Sequence, residues 1–562
     1  MRGSIAHLAC LTLVMTSVSL AASVARAAWV PHGNPVCVAP GDQKGGIWTS
    51  DGSGGVFVVW VDGRRGFPIT DLYATRLLAD GSTAPGWPAN GAALAATGHV
   101  TAPSIASDGS GGLMAFWFDQ TDYKPRMQHV NAAGALAPGF PANGLTLPIV
   151  VGGPTGYVFR AGADGAGGAY ILWNNFNGTA DAALVTRVTG TGAFAAGWNA
   201  SGVGQAYSDS FNPSSGFSSL SLQVDPTGGT LVGATYTVED FPSGSHSVGR
   251  WSRTLADGSW AYSAGAPHPP SVGGLSLAPD GGGGAFAAWT TSVEPTRRMQ
   301  HVLANGSATW PEPTAAPVTD AMVPDGSGGL YLFGLLGGPE RLELHRRAAD
   351  ASIPAPWTPA GIVLSASGPH YARAICRSGA LLYACWSNGP YPTVDLRGIA
   401  VTADGNVAPG WTPGGMTVCG AAATQNLTAF GPFSTDEAFA VWEDWRAGDS
   451  DIYATLLQPG GPVTLAAPGE RPNESPTLAF AASPTPNPAR DRVVFSLRLA
   501  DGSSAWLEIV DAAGRVHGSL AIDAPSGVQS LPFEVAHLPA GVYWAHLRQG
   551  LHEAVRRFAV LH

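Results

Sequence analysis

Residues 51–60 read DGSGGVFVVW, and the phrase returns at 108–117 (DGSGGLMAFW), 164–173 (DGAGGAYILW) and 280–289 (DGGGGAFAAW). Trp60, Trp117 and Trp173 stand 56–57 residues apart, and Trp386 and Trp442 are again 56 apart. Weaker phrases at 225–236 (DPTGGTLVGATY) and 325–334 (DGSGGLYLFG) fill the skipped positions, which makes eight copies. Repetition at such a period marks an array of one supersecondary unit rather than a single large core.

Each copy has the same plan. An alternating segment such as 102–106 enters the Gly-rich turn, and a strongly apolar run (113–118) leaves it. Glycine supplies the positive φ of a tight hairpin, and Asp braces the turn with its own side chain. After a variable loop comes a third strand, a further turn (Ala79-Asp80-Gly81, Asn131 to Gly134), a Gly-Trp corner (Gly86-Trp87, Gly197-Trp198, Gly410-Trp411) and a short fourth strand. Four strands per copy with no helical period predict an all-β chain: an eight-bladed β-propeller over 28–466, with seven blades as the alternative count. Residues 29–37 (WVPHGNPVC) match the corner and fourth strand at 411–419 (WTPGGMTVC), ahead of any first strand. They are expected to pair with the last copy and close the ring, the alternative being completion in cis by 461–466.

Residues 1–27 have the basic start, apolar run and Ala25-Arg26-Ala27 site of a signal peptide, which predicts export. The apolar run is shorter than a membrane span requires, and no other segment is expected to cross a bilayer. Removal of Cys10 leaves Cys37, Cys376, Cys385 and Cys419, open to any of three pairings or to none. The formal charge is −11, with Lys44 and Lys124 the only lysines and the arginines scattered, so nucleic acid is not an expected partner.

A Pro-rich stretch at 467–485 reads as a linker, and six strand-like runs between 493 and 561 predict a small β-sandwich over 486–562. The order Pro486-Asn487-Pro488, then 507–515 (LEIVDAAGR), then 538–544 (LPAGVYW) and the end 556–561 (RRFAVL) resembles the C-terminal sorting domain of the type IX secretion system. It is similar also to the immunoglobulin-like domain of flagellar hook-capping proteins. The resemblance implies outer-membrane export, with the type IX machinery as partner and a secreted or surface-attached product. Family tails usually carry Lys where this chain has Arg556 and Arg557.

The first and last copies share Trp60-Val61-Asp62-Gly63-Arg64 with Asp71-Leu72-Tyr73, and Trp442-Glu443-Asp444-Trp445-Arg446 with Asp451-Ile452-Tyr453. This resembles a tryptophan-aspartate-arginine repeat of bacterial secreted propellers. Asp62 with Arg64 is expected to lock the loop through a charge-assisted hydrogen bond. The other reading makes Asp444, Asp449 and Asp451 oxygen ligands of a calcium ion. The Asp-Gly turns lack the alternate acidic ligands of calcium loops. His129 and His301, in matching Met-Gln-His-Val phrases, are expected to be packing residues.

No nucleophile, zinc or phosphate-loop motif is present, so no catalytic or cofactor-binding residue is assigned. Asp119, Asp122, Glu239, Asp240, Glu294 and Glu443 lie in or near loops with nothing to pair them for glycoside hydrolysis. Tyr123, Phe176, Tyr391 and Trp445 are candidates for stacking on sugars. The expected function is a non-catalytic surface or secreted protein that binds a glycan or protein at the propeller loops. The alternative is a propeller-fold polysaccharide hydrolase or lyase.

Overall fold

The computed structural model describes residues 29–149, 159–176, 181–208, 217–240, 244–265, 272–291, 297–310, 314–317, 320–336, 340–366, 368–462, 478–480, 484–499, 504–511, 514–522, 527–549 and 552–562. The expected signal peptide (1–27) and most of the expected linker lie outside them. Every regular element among the described residues is a strand, and the chain divides into units at 1–465 and 466–562.

The first unit holds eight antiparallel sheets of four principal strands. In the first sheet these are Gln43–Ser50, Val56–Asp62, Asp71–Leu77 and Ala92–Ala95, in spatial order. The first strand of every sheet touches the first strand of the next, and that of the eighth (Gln425–Ser434) touches that of the first. The sheets therefore form a closed circuit whose inner wall is made of first strands. Second strands are buried along their length, because both of their faces meet neighbouring sheets; Val56, Phe57, Val58, Val59 and Trp60 are all at most 1% exposed. That explains why these runs are continuously apolar instead of alternating.

The eighth sheet is completed from both ends of the unit. Asn34–Cys37 pairs with the start of its third strand, Asp451–Gln458, at Asn34↔Ala454, Pro35↔Tyr453 and Cys37↔Ile452. Gly461–Pro462 adds two residues at the other end of that strand, through Leu457↔Pro462 and Gln458↔Gly461. Thus the N-terminal segment supplies the fourth strand, and the cis segment contributes a short supplement.

The corner tryptophans explain how one sheet holds the next. Trp87 Nε1 donates to Ala132 O at 2.9 Å, Trp198 to Ala256 O at 3.0 Å, Trp310 to Ala349 O at 2.9 Å, Trp357 to Ala403 O at 3.0 Å and Trp411 to Gln458 O at 3.1 Å. Each bond runs from one copy to the turn of the following copy. Trp29 donates in the same way to Ala79 O at 3.1 Å, so it is the corner of the eighth copy reaching the first. Gly33 completes the match: at φ 80°, a Cβ there would lie 2.1 Å from the Trp442 ring, and Gly91 and Gly415 sit likewise against Trp60 and Trp386.

The second unit has a three-stranded sheet (Ala479–Phe480, Arg492–Leu499, Gly527–Glu534) and a four-stranded sheet (Val516–Ile522, Ala505–Asp511, Gly541–Gln549, His552–Val560). Both contribute to one core that includes Phe480, Val493, Phe495, Leu507, Ile509, Tyr543 and Phe558. Leu478 and Phe480 belong to this core, so the unit begins inside the stretch read as linker. The apolar Leu478-Ala479-Phe480 run, hidden by its proline-rich surroundings, buries itself against Arg492–Leu499.

Deleting residues 28–38 from a chain that begins at residue 28 removes the fourth strand, Trp29 and Gly33 together. The melting temperature is expected to fall by ~10 °C, several kcal/mol at the sensitivity of a large domain. An unchanged value contradicts the pairing.

Candidate functional site

The polar residues that repeat are engaged with one another. In the first turn Asp51 Oδ1 accepts the Ser53 and Gly55 N–H groups at 2.6 and 2.8 Å, while Oδ2 accepts Arg76 Nη2 at 2.7 Å. Burial pushes the Asp51 carboxyl up, but the two N–H groups and Arg76 together hold it below its ordinary range. The same third-strand position carries the partner in five further copies: Asp108–His129, Asp164–Arg187, Asp225–Arg253, Asp280–His301 and Asp325–Arg346. His129 and His301 are therefore the counterparts of arginine in a turn clasp.

The Trp-Asp-Arg phrase forms a second clasp. Trp60 Nε1 donates to Asp62 Oδ2 at 2.7 Å, Arg64 Nε donates to Asp62 Oδ1 at 2.8 Å, and the guanidinium lies 3.7 Å over the Tyr73 ring. Arg64 Nη2 also donates to Asn90 O at 2.8 Å, tying the loop to the turn that leads into the fourth strand. In the eighth copy Trp442, Arg446 and Tyr453 surround Asp444 in the same way, and Arg446 Nη2 donates to His32 O at 2.9 Å across the closure. Cys37 and Cys419 sit beside these clasps; burial and the adjacent aspartates push their thiols up to about 11 and about 12. All four described cysteines are buried and free.

These contacts engage the three aspartates of the calcium reading differently. Asp444 is committed to Trp442 and Arg446, and Asp449 Oδ2 accepts Gly41 N–H at 3.1 Å. Among the described residues no three His, Cys, Asp or Glu side chains gather as a metal-binding group. Asp451 differs from its first-copy counterpart. Asp71 is paired with Arg65, whereas Ala447 stands at the matching place in the last copy. Asp451 Oδ2 is buried without a hydrogen-bond partner, and burial together with Asp444 and Asp449 pushes its carboxyl up to about 6.

The proposed loop residues occupy one rim, formed by second-to-third-strand connections. Four consecutive sheets around the circuit, the seventh, eighth, first and second, each place an aromatic there: Tyr391, Trp445, Phe67 and Tyr123. Phe67 is 95% exposed and Tyr391 79%, while Tyr123 is about half exposed and Trp445 half-buried. Phe67 was not singled out by sequence, although Phe67-Pro68 and Tyr391-Pro392 share an aromatic-proline signature. The side chains of Phe176, Glu239, Asp240 and Glu294 lie outside the described residues.

The described loop carboxylates are held by other groups of the scaffold. Asp119 and Asp122 both accept from Arg126, and Glu443 accepts Gly45 N–H at 2.7 Å. Below the rim, a cavity of about 560 Å³ opens between the first strands of the first, seventh and eighth sheets, lined by Ile47, Trp48, Arg373, Thr428 and Phe430 among others. Asp320 Oδ2 accepts Arg373 Nε at 2.7 Å and Oδ1 accepts Arg297 Nη1 at 3.2 Å, so one carboxylate serves two guanidinium groups.

No family model matches the chain, and no curated protein matches it. Among solved structures it is similar to a eukaryotic initiation factor (11% identity, 76% of this chain and 88% of that one, TM-score 0.39). It is similar also to the polysaccharide lyase Uly1 (10%, 67% and 92%, TM-score 0.39). A third likeness is to the β-propeller domain of the Trilobed protease from Pyrococcus furiosus (10%, 63% and 94%, TM-score 0.36). At these TM-scores no ligand or reaction carries over to this chain.

Because the folded state raises the Asp451 pKa above its unfolded value of ~3.9, its charge opposes folding as pH rises through about 6. Asp451→Asn is expected to stabilise the chain at pH 7.5 by on the order of 1 kcal/mol and to change little at pH 4.5. Urea denaturation at both pH values checks this; a larger gain in acid contradicts it.

Proposed function

We propose that this chain is an exported, non-catalytic carbohydrate-binding protein, built as an eight-bladed β-propeller followed by a β-sandwich that serves as a type IX sorting domain. The aromatic arc of Tyr391, Trp445, Phe67 and Tyr123 carries the binding reading. Aromatic faces held singly in water cost apolar exposure, and they offer flat platforms for the C–H faces of sugar rings. They stand apart along a rim instead of merging into one apolar patch, which suits an extended chain better than a globular protein partner. The eight-sheet circuit supports the blade count, and the shared core of the two C-terminal sheets supports the sandwich. The sorting role rests on the motifs within 486–561.

The enzymatic alternative requires two convergent acids or an equivalent set of groups. The described loop carboxylates of the second sheet are held by Arg126, which favours binding over hydrolysis. Incubation with the bound polysaccharide separates the two: new reducing or unsaturated chain ends would establish the enzyme.

A glycan array is expected to give a confined set of polysaccharide hits, and Tyr391→Ala to weaken binding to them about tenfold, the value of one stacking contact, with no change in melting temperature. Absence of hits, or an unaffected variant, contradicts the reading. In a bacterium with type IX secretion, deleting 484–562 is expected to leave the propeller in the periplasm. Its appearance outside the cell contradicts the sorting role.

A further inference from the structure

The inner wall of the seventh sheet carries charge of the sign opposite to that of the chain. Its first strand, His370–Ser378, bears Arg373 and Arg377. The pairing with the second strand runs without interruption from Arg373↔Trp386 to Arg377↔Leu382, so both arginines point to the same side, ~13 Å apart along the strand. Each lines a cavity. Arg373 belongs to the cavity with Trp48 and Phe430, and Arg377 to a second one of about 540 Å³ with Met322, Ile375 and Pro432. The first is bounded by residues 372–374 and 427–430 and the second by 375–379 and 432, so they follow one another along the same two strands.

The positive charge on this wall is only partly compensated. Asp320 is shared by Arg297 and Arg373, one carboxylate between two guanidinium groups. Arg377 is exposed and donates to the Asp325 carbonyl at 2.8 Å, with no carboxylate partner among the described residues. In a chain of net charge −11, two guanidinium groups in consecutive cavities of one groove, with half-buried Trp48 and Phe430 lining the first, form a specific combination. Aromatic faces take sugar rings, and a guanidinium fork takes a carboxylate or sulfate.

We propose that this groove binds an acidic polysaccharide, whose anionic groups meet Arg373 and Arg377 while its rings lie on Trp48 and Phe430, continuous with the rim aromatics. The proposal rests on the carbohydrate-binding reading and adds the ligand's charge and its path along the inner wall. An acidic peptide would satisfy the arginines and leave the aromatic surfaces without a partner.

The test is calorimetry on the mature full chain. The probes are a hexameric oligogalacturonate, its carboxyl-reduced counterpart, a sulfated galactan oligosaccharide of equal length and a poly-glutamate peptide. At least one of the two anionic sugars is expected to bind about tenfold more tightly than the reduced sugar and the peptide, with an affinity that falls as salt is raised. Which of the two binds distinguishes carboxylate from sulfate. Arg377→Ala is expected to weaken that sugar about tenfold, with Arg377→Lys recovering part of the loss and the melting temperature of both variants unchanged. Equal binding of charged and reduced sugars, equal binding of poly-glutamate, or an unaffected Arg377→Ala overturns the inference. If Tyr391→Ala weakens sugar binding while Arg377→Ala does not, the rim reading stands and the acidic ligand falls. If no sugar binds at all, both fall.

Discussion

The pairing of Asn34–Cys37 with Asp451–Gln458 is the constraint on which the first unit depends. A four-stranded sheet with an apolar second strand cannot bury that strand alone; each sheet needs a neighbour on either side. Seven junctions follow from chain order, and only the eighth has to be made between the two ends of the unit. Around it, Gly33 seats against Trp442, Trp29 reaches Ala79, Gln43 N–H donates to Ser450 O at 2.6 Å and Arg446 holds His32 O. Removing this set would expose the faces of the first and eighth sheets together, so the closure governs the stability of the whole circuit.

The same logic assigns the conspicuous polar residues to the scaffold. Asp51 and its equivalents hold hairpin N–H groups and a third-strand cation, while Asp62 and Asp444 hold a tryptophan, an arginine and through it a carbonyl of the turn before the fourth strand. A buried carboxylate is tolerable only when its lone pairs are met, and these are met several times over. Asp451, with a buried oxygen that lacks a partner, is the departure from that pattern, and it lies at the closure. Residues that vary between copies and stand exposed on the rim, such as Phe67 and Tyr391, are left to do something other than hold the ring.

Much of the scaffold was legible because it is written eight times. The Asp-Gly turns, the apolar second strands and the duplicate of 411–419 at 29–37 were enough to expect the sheets and the pairing of the N-terminal strand. His129 and His301 read as packing residues in sequence, and their partners, Asp108 and Asp280, become visible only once the first hairpin turn lies beside the third strand. The inner wall was not legible. Arg373 and Arg377 lie on a first strand whose copies share no sequence, and Asp320 meets Arg373 across 53 residues, a separation that no local pattern records.

Hydrogen–deuterium exchange on residues 28–562 tests the closure most directly. The amides of Asn34, Val36 and Cys37 are expected to exchange as slowly as those of 452–457, since both belong to one ladder of the eighth sheet and open only when the ring does. Exchange of 34–37 at the rate of an unstructured peptide, with 452–457 protected, would contradict the account.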